Sequence, residues 1–227
     1  MRDTRMSKGF ARSLSASARN TVIRGDCVEV MKGIKTASID FVLTDPPYGV
    51  KYRSRNGDSV RNDDCLDWLE PAFREIHRVM KNDTLCLCFY GYTTVAAFTA
   101  AWKAAGFRIV GHAVFRKRYA SSESFLKQHH EQAYLLAKGR PEWPENPLAS
   151  VADFFYTGNR LHPTQKPEMM LRPFIDTYCS KAGVVLDPFC GSGSTLVAAK
   201  QCGRDYIGIE LDSSHHRTAS LRLRRFR

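Results

Sequence analysis

Five short apolar runs in this chain each stop at an acidic or glycine-bearing turn, and that pattern restricts the fold more than any other feature of the sequence. Val22–Arg24 leads into Gly25-Asp26, Ile39–Leu43 into Thr44-Asp45-Pro46-Pro47-Tyr48, and Leu85–Tyr90 into Gly91. Val184–Leu186 leads into Asp187-Pro188-Phe189-Cys190-Gly191, and Tyr206–Ile209 into Glu210. Such β-rich runs without polar alternation are expected of strands covered on both faces, hence of a mainly parallel sheet. Helical patterns lie between them. Leu66–Val79 carries Leu66, Leu69, Phe73, Ile76 and Val79 near a period of 3.6. Val95–Ala105 is alanine-rich and stops at Gly106, a helix C-terminal cap, and Thr195–Gln201 begins after a glycine turn. Ile109–Arg116 and Gln132–Ala137 read as two further strands able to pair antiparallel. The alternation predicts a doubly wound α/β sheet in one domain over 21–227, with ligands at the carboxyl ends of the strands, where these turns sit.

Charge narrows the partners. Lys and Arg total 34 against 23 Asp and Glu, a formal net charge of +11. That surplus favours a polyanion, nucleic acid ahead of an anionic membrane surface. No apolar run approaches the roughly 20 residues that span a bilayer. The seven cysteines are scattered and never spaced C-x-x-C, which argues against a disulfide framework and against a metal site. Free thiols in apolar runs suit a reducing, cytoplasmic setting. The first twenty residues are rich in Arg and Ser with Asp3 as the only acid. They read as a flexible basic arm, a look shared by organellar transit peptides. Residues 51–64 and 139–161 lack periodicity and read as loops.

Val184–Thr195 has the form strand, glycine loop, helix. Gly191 and Gly193 let the backbone approach a ligand, and the helix start offers free N–H groups. The loop lacks the third glycine of dinucleotide sites. Glu210 ends the next strand, 23 positions after Asp187, where a carboxylate can accept from ribose hydroxyls. Together these residues predict a nucleoside site.

The glycine loop resembles the cofactor loop of DNA amino-methyltransferases, and Asp45-Pro46-Pro47-Tyr48 resembles the catalytic tetrapeptide of that family. The catalytic motif comes first and the cofactor motif near the end, the order of the family's β class. His162-Pro163-Thr164-Gln165-Lys166-Pro167 is similar to the segment preceding the cofactor motif there, and Arg24-Gly25-Asp26-Cys27 to the opening turn. The similarity runs from about Thr21 to Leu223. It implies a seven-stranded, Rossmann-like methyltransferase sheet and S-adenosylmethionine as cofactor. By resemblance, Asp187, Phe189, Gly191, Ser192 and Gly193 would line the cofactor, Glu210 would hold its ribose, and Asp26 and Cys27 would lie by its adenine. Thr164 and Lys166 would help hold its carboxylate, and His162 would belong to the same cofactor site. Two positions depart from the pattern: Pro173 falls inside the helix expected after Pro167, which should be kinked or short, and Cys190 stands where a smaller residue is usual.

An exocyclic amine on a base is a poor nucleophile, because its lone pair is delocalised into the ring. Acceptors that orient its N–H bonds localise that pair. Asp45 and the Pro46 carbonyl would supply them, with Pro47 stiffening the turn and Tyr48 stacking on a flipped base. Methylation of cytosine carbon 5 is disfavoured, since that chemistry resembles catalysis by a Pro-Cys cysteine and no such dipeptide occurs. Lys51, Arg53, Arg55 and Arg61 follow the catalytic turn and are expected to grip the phosphates of double-stranded DNA, as are Arg116, Lys117 and Arg118 and the run Arg222–Arg227. The 139–161 region is short for a target-recognition segment, so dimerisation or the 51–64 loop should assist. Adenine N6 is the expected target. Cytosine N4, RNA or another amine as substrate, and a catalytically silent DNA-binding relative are the rivals.

Overall fold

The computed structural model describes residues 19–49, 65–121, 125–155 and 165–226. The expected basic arm, the loop carrying Lys51, Arg53, Arg55 and Arg61, and the residues His162 and Thr164 lie outside the described residues.

The elements run β1 (Thr21–Arg24), α1 (Cys27–Lys32), β2 (Ile39–Thr44), α2 (Leu69–Val79), β3 (Met80–Phe89), α3 (Val95–Ala105), β4 (Arg108–Arg116), β5 (His130–Lys138), β6 (Val151–Asp153), α4 (Glu168–Tyr178), β7 (Val184–Asp187), α5 (Ser194–Gln201), β8 (Asp205–Glu210) and α6 (Ser213–Arg225). They build an eight-stranded sheet in the order β1-β8-β7-β2-β3-β5-β4-β6. Only β5 runs against the rest, pairing antiparallel with β3 and with β4. The seven strands expected become eight because β6 forms inside the segment read as the 139–161 loop and pairs parallel with β4. Three residues are too few to carry a recognisable pattern.

Strand residues alternate between two cores, as the period of 2 demands. Val42, Cys86, Cys88, Val184 and Leu186 pack under α1, α2 and α3. Phe41, Leu43, Leu85, Leu87 and Val185 pack against α4, α5 and α6 on the opposite face. Local chemistry fixes the helix ends. Asp26 caps α1 by accepting from the Val28 and Glu29 amides, and Asp212 caps α6 in the same way. Gly106 ends α3 at a φ of 97°, a left-handed geometry that favours glycine. Pro173 lies inside α4 without ending it. All seven cysteines are free, five of them buried. Among the described residues no helix is long and apolar enough to cross a membrane.

From β2 the chain winds to one side through β3, while β7 and β8 fill the other side. The boundary between β2 and β7 is therefore the switch point of the sheet, and turns leaving its two strands open into one crevice. At β8 the helix layer comes unusually close. A Cβ on Gly208 would stand 2.3 Å from Leu196 Cδ1 and 3.1 Å from Cys190 Sγ. Gly208→Val should therefore lower stability by about 1–3 kcal/mol or more, the range for overpacking a filled core. Urea unfolding would measure this, and adding Leu196→Ala should restore part of the loss.

Candidate active site

The two motifs meet at the switch point. Thr44, the last residue of β2, donates through Oγ1 to Asp187 Oδ1 at 3.0 Å, and both residues are buried. The same carboxylate oxygen accepts from the Phe189 amide at 3.1 Å, which turns the chain sharply into the glycine loop. Burial raises the Asp187 carboxyl to about 7, against the opposing pull of bonds from Thr195, Phe189 and Thr44.

The loop itself is shaped by its glycines. Gly191 and Gly193 have φ of 51° and 83°, and a Cβ on Gly193 would press on Ala219 of α6 at 3.1 Å. The Gly191 amide donates to Glu210 Oε2 at 2.8 Å, and the Asp212 amide to Oε1 at the same distance. Glu210 is thereby oriented by two backbone amides. Pairing of β1 with β8 sets Arg24 opposite Glu210, so Asp26 and Cys27 stand next to it. Asp26 spends Oδ1 on capping α1. The Cys27 thiol is pushed up to about 12 by burial, with Asp26 and Glu210 adding to the effect. It stays protonated and is no nucleophile. Trp68, which the sequence reading did not select, packs on Phe189 with ring centroids 5.0 Å apart.

The Asp45–Tyr48 turn is held from the end of β3. Thr94 Oγ1 donates to the Tyr48 carbonyl at 2.7 Å, and a Cβ on Gly91 would lie 3.0 Å from Tyr48 Cβ. The Tyr48 hydroxyl donates to Asp45 Oδ1 at 2.6 Å. Burial and then the charge of Asp45 raise the phenol well above its usual range, so it remains a donor. Lys166 Nζ donates to Asp45 Oδ2 at 2.5 Å and lies 4.9 Å from the Phe89 ring centroid. The expectation concerned the cofactor's carboxylate; the ammonium here engages Asp45.

Several basic residues differ from expectation. Lys117, expected on phosphates, is buried and hydrogen bonded to Glu131. Arg222 is buried as well. It donates to the Ser192 carbonyl at 3.1 Å and to Ser194 Oγ at 3.2 Å, and it pairs with Glu168. Arg222 thus braces the glycine loop from behind and does not belong to an exposed cluster. The Ser192 carbonyl and hydroxyl both face this guanidinium. Arg116 is exposed and pairs with Asp153, and Arg118 is exposed.

Comparison with known proteins agrees with this geometry. The family model for DNA methylases, of the N6/N4 type, matches residues 39–221. "Putative methylase YubD" of Escherichia coli K12 is 51% identical over 201 residues, covering 88% of this chain and 88% of its own. "DNA adenine methyltransferase YhdJ" of the same organism is 28% identical over 244 residues, covering 89% of this chain and 82% of its own. Among solved structures, the complex of M1.HpyAVI with SAM superposes with a TM-score of 0.71 at 22% identity, over 89% of this chain and 98% of that one. The cytosine-N4-specific PvuII DNA methyltransferase also gives a TM-score of 0.71, at 15% identity, over 88% of this chain and 85% of that one.

The raised Asp187 carboxyl has a measurable signature. A carboxyl whose folded value exceeds its unfolded one favours the fold fully only below the unfolded value near 4. That contribution is lost as pH rises towards about 7, the folded value. Asp187→Asn keeps an acceptor for Thr44 and Phe189 but cannot ionise. Its stability relative to wild type should therefore rise between pH 4 and 7, as read from urea midpoints without cofactor. A constant difference across that range would contradict the assignment.

Proposed function

The chain belongs to the DNA methylase family, and we propose that it is an S-adenosylmethionine-dependent enzyme that methylates the 6-amino group of adenine in double-stranded DNA. The observation that carries this reading is the buried Thr44–Asp187 bond, which sets the amine-orienting turn directly beside the nucleoside loop. The residues suit the cofactor. The left-handed glycines leave the loop backbone open to close approach, and Glu210 presents a carboxylate with lone pairs beyond those used by the Gly191 and Asp212 amides. Glu210 would hold ribose hydroxyls, Asp26 and Cys27 would flank the adenine of the cofactor, and the 187–193 loop would line the rest. The bound cofactor would supply a methyl group on a sulfonium, open to direct attack without a covalent enzyme intermediate.

The protein's own residues prepare the nucleophile. Asp45 and the Pro46 carbonyl accept from the target amino group, orient it, and favour the charge that develops as nitrogen attacks. Tyr48 offers an aromatic face to a base that has left the stack. Arg118, exposed beyond the end of β4, is proposed to meet phosphate, as are Lys51, Arg53, Arg55 and Arg61. Adenine is favoured by Asp before Pro-Pro-Tyr and by the relative named an adenine methyltransferase. Cytosine N4 is the second reading, because the PvuII enzyme of that specificity shares the fold.

Nucleoside mass spectrometry of duplex DNA incubated with labelled cofactor tests the proposal. N6-methyladenine is expected; N4-methylcytosine alone would overturn the choice of base, and no labelled nucleoside would overturn the activity. Asp45→Ala should leave cofactor affinity nearly unchanged while single-turnover transfer falls by orders of magnitude, the pattern of a group acting in the transition state. Glu210→Ala should instead weaken cofactor binding by about 1–3 kcal/mol in calorimetry, the cost of leaving polar partners unpaired.

A further inference from the structure

We propose that Glu131 is a positioning residue that receives the Lys166 ammonium when Asp45 turns to an incoming base, an inference that rests on the amine-methylating reading of the site. Both oxygens of Asp45 already hold donors, the Tyr48 hydroxyl on Oδ1 at 2.6 Å and Lys166 Nζ on Oδ2 at 2.5 Å. An amino group entering the site competes with these donors for the carboxylate's acceptor directions. The Lys166 side chain is 8% exposed, so an ammonium released from Asp45 needs a second acceptor at once.

Glu131 supplies one. Its Oε2 lies 3.9 Å from Lys166 Nζ, so a shift of about 1 Å makes a full hydrogen bond. Its Oε1 is held by Lys117, whose ammonium lies 5.1 Å from the Phe154 ring centroid and 5.7 Å from that of Tyr119. The result is a row of alternating charge, Asp45, Lys166, Glu131, Lys117, in which both ammonium groups are buried and both carboxylates half-buried. Burial pushes the Glu131 carboxyl up, but Lys166 and Lys117 outweigh it and hold the group below its usual range. The acceptor is thus anionic before any base arrives. Phe89, facing Lys166 Nζ at 4.9 Å, keeps a ring beside the cation as it moves.

Glu131→Gln keeps the shape of the acceptor and removes its charge. Single-turnover methyl transfer to duplex DNA should slow at least about tenfold, while cofactor affinity by calorimetry stays within about twofold of wild type. Lys117→Met/Glu131→Gln, which leaves no unpaired lysine, should fold and show the same defect. In a Lys166→Met background, Glu131→Gln should add no further loss, because its effect passes through Lys166. Wild-type transfer by Glu131→Gln, or losses that multiply with Lys166→Met, would overturn the proposal while leaving the methylase reading intact. Nitrogen NMR of the lysine amines decides the point without turnover. The Lys166 resonance should move in Glu131→Gln, and an unmoved resonance would refute the inference even if no methyl transfer to DNA were seen.

Discussion

The hydrogen bond from Thr44 to Asp187 is the joint on which the site depends. It links the last residues of two adjacent parallel strands whose following turns carry different chemistry. Without it the Asp45–Tyr48 turn and the 187–193 glycine loop would be separate features of one sheet edge. Its cost is a carboxyl buried at the switch point, and the fold offsets that cost with donors from Thr44, Thr195 and the Phe189 amide. The same carboxyl starts the sharp turn into the loop, so one group both joins the motifs and shapes one of them.

The two halves of the crevice are held by different forces. On the cofactor side, orientation comes from backbone: Glu210 rests on two amides, and the loop is fixed by left-handed glycines with Arg222 behind it. On the catalytic side, orientation comes from side-chain charge. Asp45, Lys166, Glu131 and Lys117 alternate in sign across residues from four separate stretches of chain. Backbone bonds hold one half of the crevice, whereas ion pairs between side chains distant in sequence hold the other.

Much of the fold was legible because it is encoded locally. Continuous apolar runs gave the parallel strands, Gly106 the end of α3, and the 184–195 segment its turn and helix. What escaped the sequence depends on facing. Arg116, Lys117 and Arg118 look alike in a row, yet the alternation of an extended segment turns Lys117 inward and its neighbours outward. Arg222 likewise opens a basic run, but it shares a helix face with Ala219 and Leu223, both buried. Glu131 could not be singled out, because its partners lie 14 residues upstream, at Lys117, and 35 residues downstream, at Lys166.

These inward-turned cations change how the positive charge of the chain should be weighed. A net charge of +11 counts Lys117, Lys166 and Arg222 with the rest, but each is buried against a carboxylate. Pairing removes them from the field that a polyanion meets, together with the acids that neutralise them. Glu131, Asp45 and Glu168 are the acids withdrawn with them, so these three pairs leave the net charge unchanged. Burial therefore sorts charges of both signs without altering their balance, and the net surplus that favours a polyanion does not rest on these three cations.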